Sequence, residues 1–167
     1  MLSSKVSQKL NEQIGLEFYT ANLYLQMSAW CSLKGFEGCA EFLRQHSEEE
    51  RGHMQRLFDY VSKTGSLPIL PEIKAPPSEW DSPVSIFKSI FEHECTVTKE
   101  INALVKIAFE EGDYSTFHFL QWYVGEQHEE ENLFRIILDK FQILSTETKG
   151  LFFVDQELKR IAQSRDR

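Results

Sequence analysis

The sequence predicts an all-α protein: a four-helix bundle with one long crossover between helices two and three, plus a short fifth helix near the C-terminus. Two observations predict this fold. Apolar residues recur at the 3.6-residue spacing of amphipathic helices through four segments of about 28 residues each. All five prolines lie between positions 68 and 83, so the segments on either side contain no proline to break a helix.

Local signals place the helix ends in chain order. A break at Gly35 separates helices one and two, and Ser82 before Pro83 is a strong start for helix three. Gly112 is a typical helix stop, and Asp113 is a typical cap for the helix that follows. The predicted bundle helices span about 5–33, 37–64, 83–111 and 114–143, with a short helix at about 151–162.

The connection between helices two and three predicts the chain topology. It spans about residues 65–81, and an extended chain of this length reaches about 55 Å, whereas a bundle helix is about 40 Å long. The connection can therefore run the length of the bundle and let helices two and three lie parallel. A chain of 167 residues suits one domain.

Composition excludes several classes of partner. The chain has 18 basic and 26 acidic residues and a net charge of -8, which argues against a nucleic-acid partner. No apolar run is long enough for a membrane span. The three cysteines form no CxxC pair, and the N-terminus has no signal-peptide core. We therefore expect a soluble, cytoplasmic protein without a membrane or nucleic-acid partner.

A carboxylate interrupts the apolar stripe of each predicted bundle helix near mid-length. These residues are Glu17, Glu50, Glu94 and Glu130. One glutamate on an amphipathic helix is usually solvated, but four at matching depth indicate a shared interior environment. Ionised glutamate is rarely buried without a positive partner, and no lysine or arginine lies on the four stripes. The pattern therefore predicts a bound metal cluster.

Histidine adds nitrogen to this oxygen-rich set. His53 lies three residues after Glu50 and so shares its helix face. Carboxylates with one imidazole suit paired iron or manganese. Tyr24, one heptad after Glu17, is expected to be a core tyrosine whose hydroxyl bonds to a ligand, and His46 is expected to pack beside the centre. The histidines expected to face solvent are His93, His118 and His128.

These motifs resemble those of bacterial non-haem ferritins, members of the ferritin-like di-iron superfamily. The resemblance covers essentially the whole chain, which it implies is a single ferritin-like domain, residues 1–167. The segments that carry it are 11–13 before Glu17, 24–30, 48–54, Glu94, 119–123 and 126–130.

The resemblance implies a di-iron ferroxidase centre that oxidises Fe²⁺ to Fe³⁺ with O₂ or H₂O₂. Glu17, Glu50 and His53 would hold the first iron. Glu50 would bridge to the second iron, which Glu94 and Glu130 would complete. The same resemblance implies that iron is the substrate of this centre and passes through it.

A third iron site beside the pair is also implied by the resemblance. Its residues would be Glu49, Glu126, Glu129 and the shared Glu130. Gln127 stands where symmetric di-iron bundles carry a glutamate, three residues before a histidine. This departure implies a weaker and more open second iron position.

The resemblance also implies storage. Fe³⁺ would form a ferric oxyhydroxide mineral inside a hollow homo-oligomer of twenty-four subunits. No haem is expected, because Arg51 follows Glu50 where haem-binding relatives carry a methionine. Two alternatives remain open at this point: a di-iron oxidase or oxygenase acting on an organic substrate, and a non-enzymatic acidic helical module. The large aromatic residues near the predicted centre argue weakly against an organic substrate.

Overall fold

A computed structural model describes residues 2–144 and 149–165. Its elements are α1 (Ser4–Leu33), α2 (Glu37–Lys63), α3 (Pro83–Glu110), α4 (Tyr114–Leu144) and α5 (Gly150–Arg165), and those two ranges contain no strand. The predicted all-α class is confirmed. The four long helices begin and end within about one residue of the predicted positions. Over the same ranges, no helix combines the length and the apolar character needed to cross a bilayer.

Helices α1 and α2 are antiparallel. The Ser28 hydroxyl donates to the carbonyl oxygen of Ala40 at 2.7 Å, and the Ser47 hydroxyl donates to the carbonyl of Ala21 at 2.7 Å. Moving backwards along α1 therefore means moving forwards along α2. The tight turn between them contains Gly35, whose φ of 85° is costly for any residue with a side chain.

Helix α1 is also antiparallel to α3. The Tyr24 hydroxyl bonds to Glu94, whereas Lys9, nearer the start of α1, interacts with Glu100, further along α3. Since α2 and α3 both oppose α1, they run parallel to each other, as the long crossover predicted. The capping box at Ser82, with proline at the first turn, starts α3 as expected.

The crossover lies along α1 over most of its length. Near its start, the Ile69 amide donates to Asn11 Oδ1 at 2.9 Å. Near its end, the ring of Trp80 meets that of Trp30 edge-on, with centroids 6.2 Å apart. The connection therefore carries the chain from one end of the bundle to the other, which lets α3 begin at the same end as α2.

Helix α5 packs against the start of α2. The carboxylate of Asp155 accepts the Gly38 amide at 3.2 Å and the Cys39 amide at 2.8 Å. The α2 N-cap residue, Phe36, makes no side-chain capping bond, so a residue about 116 positions later in the chain supplies the cap. This contact holds α5 against the first turn of α2.

Two apolar clusters form the core. One, around Phe42, Phe87 and Phe134, fills the half of the bundle next to α5. The other, around Leu10 and Leu104, fills the opposite half. The polar residues described next lie between these two clusters, at the middle of the bundle.

Candidate metal centre

Four glutamates meet inside the bundle, one from each long helix. Glu17 and Glu94 are each 1% exposed, Glu50 is 2% exposed and Glu130 is 3% exposed. Each occupies a position that would otherwise be apolar in its helix stripe, so helix packing alone carries the carboxylate inward. The structure thus brings together the four acids that interrupt the predicted stripes.

Glu17, Glu50 and His53 form a compact set. One ligand atom from each lies within 4.8 Å of the others, a spacing that could hold a metal ion. His53 Nδ1 is 3.0 Å from Glu50 Oε2, which follows from their three-residue separation on α2. Gln13, one turn before Glu17 on α1, donates its amide to Glu17 Oε1 at 2.8 Å and orients that carboxylate.

Glu94 is oriented by two donors. The Tyr24 hydroxyl donates to Oε1, and the Gln127 amide nitrogen donates to Oε2 at 3.0 Å. The structure thus places Gln127 in contact with Glu94, where the amide acts as a hydrogen-bond donor. Both donors favour the ionised carboxylate, which is the form that binds a metal ion.

Burial makes these carboxylates hard to ionise without a cation. It raises the pKa of Glu17 and Glu50 well above the usual range. The charge of Glu50 raises the pKa of Glu17 further, and the charges of Glu94 and Glu130 raise that of Glu50, against the opposing hydrogen bond between Glu50 and Glu17. Burial also raises the pKa of Glu94, against the opposing hydrogen bonds from Tyr24 and Gln127. A bound divalent or trivalent cation would supply the missing positive charge.

Two further groupings adjoin these acids. Glu49, His53 and Glu126 form one set with the spacing of metal ligands, and His46, Glu49 and Glu130 form another. Glu129 is exposed and belongs to neither set. Three of the four residues predicted for a third iron site therefore lie in these sets, whereas the side chain of Glu129 is on the outside of α4.

Two features were missed by sequence reasoning. Gln13 supports Glu17, and its position four residues earlier on the same helix face could have indicated this. The prediction that His93 faces solvent is wrong: it is half-buried, and its Nε2 lies 2.7 Å from the Thr20 hydroxyl. Burial lowers the pKa of His93 to about 4, so the ring is neutral at pH 7. His118 and His128 are exposed.

Residues 7–144 match the family model for the ferritin-like domain. Ferritin-like folds are four-helix bundles with one long crossover connection, and this chain has that architecture. The chain belongs to the ferritin family.

Two bacterial proteins are similar to this chain over nearly its whole length. The chain is 52% identical over 97% of its length to a probable bacterial non-heme ferritin-like protein of Haemophilus influenzae, covering 98% of that protein. It is 49% identical over 96% of its length to the bacterial non-heme ferritin of Escherichia coli, again covering 98% of the relative. The resemblance to bacterial non-haem ferritins is therefore confirmed.

Solved structures agree with this assignment. An open-pore ferritin from Archaeoglobus fulgidus aligns with a TM-score of 0.93 and 41% identity, over 95% of this chain and 98% of the other. The ferritin of Chlorobium tepidum aligns with a TM-score of 0.86 and 46% identity, over 95% and 98%.

Proposed function

We propose that this protein stores and detoxifies iron by oxidising Fe²⁺ at the buried carboxylate centre and depositing the Fe³⁺ as a hydrated oxide. The observation that carries the proposal is the meeting of four buried glutamates, one from each long helix, with His53 beside them. Such a set is costly without a cation, and its oxygen-rich character with one nitrogen suits iron. Membership of the ferritin family supports the same substrate.

The resemblance to bacterial non-haem ferritins supports the two iron positions, and the close grouping of three side chains further supports the first one. Glu17, Glu50 and His53 hold the first Fe²⁺. Glu50 bridges to the second, and its electrostatic coupling to Glu94 and Glu130 supports that role. Tyr24 and Gln127 orient Glu94 and favour its ionised form against the effect of burial. Because the first position has the imidazole and the tighter grouping, the second should bind Fe²⁺ more weakly and release Fe³⁺ more readily.

The reaction balances with O₂ or H₂O₂ as the oxidant. Two Fe²⁺ ions lose one electron each. Those two electrons, with two protons, reduce O₂ to H₂O₂ or reduce H₂O₂ to two molecules of water. Carboxylate oxygens stabilise Fe³⁺ more than Fe²⁺, so the ligand set itself favours oxidation. Glu49 belongs to two sets of possible ligands beside this pair, one with Glu126 and one with Glu130, and these residues would hold a third iron.

Storage requires a closed container. We propose a homo-oligomeric shell of twenty-four subunits, as membership of the ferritin family implies. Exposed apolar side chains on α5, among them Phe152 at 60% and Phe153 at 52%, suit contacts between subunits. The chain aligns closely with ferritins described as having open-pore and closed forms. The free cysteines suit a reducing compartment, the cytoplasm.

Aerobic iron loading tests the proposal. We expect the wild-type protein to oxidise Fe²⁺ rapidly and to retain far more than three irons per chain after gel filtration. Losing one outer hydrogen-bond partner typically costs about 10- to 100-fold in a metal site, so losing a ligand in Glu50→Gln or Glu130→Gln should slow the initial rate by at least about 100-fold. Glu48→Gln is the matched control, because Glu48 is exposed on the same helix as Glu50.

The outcome also separates the alternatives. If rapid oxidation survives both ligand substitutions, the proposed centre is wrong, and the acidic-module alternative gains support. If the rate falls but the wild-type protein retains only two irons per chain, an oxidase acting on an organic substrate is favoured over storage. A visible spectrum without a Soret band is expected, because Arg51 replaces the methionine of haem-binding relatives and the named relatives are non-heme proteins.

A further inference from the structure

A cleft between α3 and α4 leads from the protein surface towards the second iron position. Its volume is about 210 Å³, which accommodates a small hydrated cation at about 30 Å³ per water molecule. Asn102 and His128, which are both exposed, lie at its mouth. Gln127, which is 3% exposed, forms its inner wall. The cleft therefore passes from exposed side chains to a buried one.

Gln127 joins this cleft to a proposed iron ligand. Its amide nitrogen Nε2 donates to Glu94 Oε2 at 3.0 Å, so the Gln127 side chain lies between the cleft and that carboxylate. Nε2 is also 3.3 Å from the backbone carbonyl oxygen of Glu94 and 3.4 Å from the hydroxyl of Thr98, another lining residue. These two distances are longer than those of usual N–H···O bonds. The carboxamide is therefore held mainly by the Glu94 carboxylate, and it can turn aside when a cation binds that oxygen.

The charge along the cleft favours a cation. The described side chains that line it include one carboxylate, that of Glu131, and no lysine or arginine. The charge of Glu131 acts on the ligand Glu94, because it contributes to the raised pKa of that carboxyl. A cation near Glu131 is therefore attracted by the ligand carboxylate as well. Both attractions draw the cation inward.

A second cavity, between α1 and α3, has a less favourable charge. Its volume is about 300 Å³, and it also ends at a buried glutamine, Gln13, which donates to Glu17 Oε1 at 2.8 Å. The ammonium of Lys9 lines this cavity, where it pairs with Glu12 at 2.5 Å and interacts with Glu100. That ammonium repels an incoming cation and occupies the carboxylates that would attract it. The α3–α4 cleft is therefore the better path for a cation.

We propose that the α3–α4 cleft is the path by which Fe²⁺ enters the second iron position, with Glu131 attracting the cation and Gln127 turning aside at the inner end. This inference rests on the proposed function, because the second iron position is the destination of the path. It gives Thr98 and Glu131 a role in the rate of metal entry, although neither residue is a proposed iron ligand. Co²⁺, a divalent cation of similar chemistry, should follow the same path.

Stopped-flow uptake of Co²⁺ by the full-length protein tests the path without oxidation chemistry. One Zn²⁺ per chain is added first to fill the tighter first position, so the absorbance of Co²⁺ reports the second. Glu131→Gln should slow uptake by about 3- to 10-fold at low ionic strength, and added salt should reduce this effect. Glu100→Gln is the matched control: Glu100 is exposed, lines the α1–α3 cavity, and should not affect the rate.

A steric block tests the same path independently of charge. Thr98→Phe places a ring in the α3–α4 cleft and should slow Co²⁺ uptake by at least about 10-fold. Release of Co²⁺ should slow by the same factor, because entry and exit use one path, so the equilibrium affinity stays unchanged. A merely structural defect would change the affinity instead. Thr96→Phe is the matched control, because Thr96 lies on α3 and lines the other cavity.

Co²⁺ uptake at the wild-type rate in either Glu131→Gln or Thr98→Phe overturns the proposal. Equal slowing by Thr96→Phe also overturns it. If Thr98→Phe leaves Co²⁺ uptake unchanged but slows the reaction of Fe²⁺-loaded protein with H₂O₂, the cleft admits the oxidant and the proposed cation path is wrong.

Failure of this inference is distinguishable from failure of the proposed function. If only the path is misassigned, the wild-type protein still oxidises Fe²⁺ rapidly, and Glu50→Gln still lowers both Co²⁺ binding and Fe²⁺ oxidation. If the iron function itself is wrong, Glu50→Gln changes neither quantity.

Discussion

Replacing Glu50 by glutamine should stabilise the metal-free protein while weakening iron binding at the paired carboxylate centre. Glutamine has nearly the same shape but carries no charge. In the wild-type protein Glu50 is 2% exposed and lies near Glu94 and Glu130, so its ionised form is both desolvated and repelled by like charges. Its charge in turn disfavours ionisation of Glu17. The variant removes that penalty and keeps the packing of the bundle.

The distance between the carboxylates of Glu17 and Glu50 determines the expected change in the free energy of unfolding. The ligand atoms of Glu17 and Glu50 lie within 4.8 Å of each other. Two full charges at this distance repel by about 3.5 kcal/mol at an effective dielectric constant of about 20. Partial protonation relieves part of this repulsion, so we expect Glu50→Gln to raise the free energy of unfolding by about 1 to 3 kcal/mol at pH 8. In a chain of this size that corresponds to a rise in Tm of about 3 to 10 °C.

The stability difference between Glu50→Gln and the wild-type protein should increase as pH rises. The folded-state pKa of Glu50 is raised well above the usual 4.5, so the folded wild-type protein binds more protons than the unfolded chain between these values. Ionisation of Glu50 therefore lowers the free energy of unfolding of the wild-type protein as pH rises through that window. Glu50→Gln has no ionisable group at this position, so it does not lose this part of its stability. The difference in Tm should be largest at alkaline pH and vanish below about pH 4.5.

Thermal unfolding followed by circular dichroism, in chelator and across pH 4 to 9, measures this difference. Glu48→Gln is the control: its carboxylate is exposed and pairs with Arg51 at 3.3 Å on the surface, so its Tm should change little. Adding Zn²⁺ should stabilise the wild-type protein more than Glu50→Gln. A Glu50→Gln variant less stable than wild type at pH 8 without metal would show that the buried acids are satisfied by hydrogen bonds and would refute the electrostatic reasoning.

Two other substitutions test the centre and the fold. Tyr24→Phe removes a donor that lowers the pKa of Glu94, so anaerobic Co²⁺ binding should shift its pH midpoint upward; an unchanged midpoint would show that the hydroxyl does not tune this ligand. Gly15→Ala would drive a methyl group into Pro71 of the crossover and cost about 1 to 3 kcal/mol in urea unfolding. Gly125→Ala on α4 meets open space and should instead stabilise the helix by up to about 1 kcal/mol; equal effects of the two alanines would contradict the close approach at Gly15.

Much of the helix bundle can be predicted from local sequence patterns. The apolar stripes, the cap at Ser82 and the glycine stops at Gly35 and Gly112 are local features, so the ends of the four long helices could be predicted to within about one residue. The end of α5 lies three residues beyond its predicted position. The four core acids were also predictable, because a carboxylate that replaces an apolar stripe residue must turn inward with its helix face. The cap of α2 by Asp155 was not predictable, since the two partners are far apart in sequence.

The sequence by itself thus determined the helices, the crossover and the inward placement of Glu17, Glu50, Glu94 and Glu130. Only the tertiary structure decided that Glu129 lies on the exposed side of α4, outside the set of possible ligands that contains Glu130. Successive helix residues are turned by 100°, so Glu129 and Glu130 leave α4 in different directions, and the packing of α2 against α4 selects which direction is interior. The apolar periodicity of one helix does not predict how the neighbouring helix is rotated about its own axis. That rotation determines which side chains reach the metal centre.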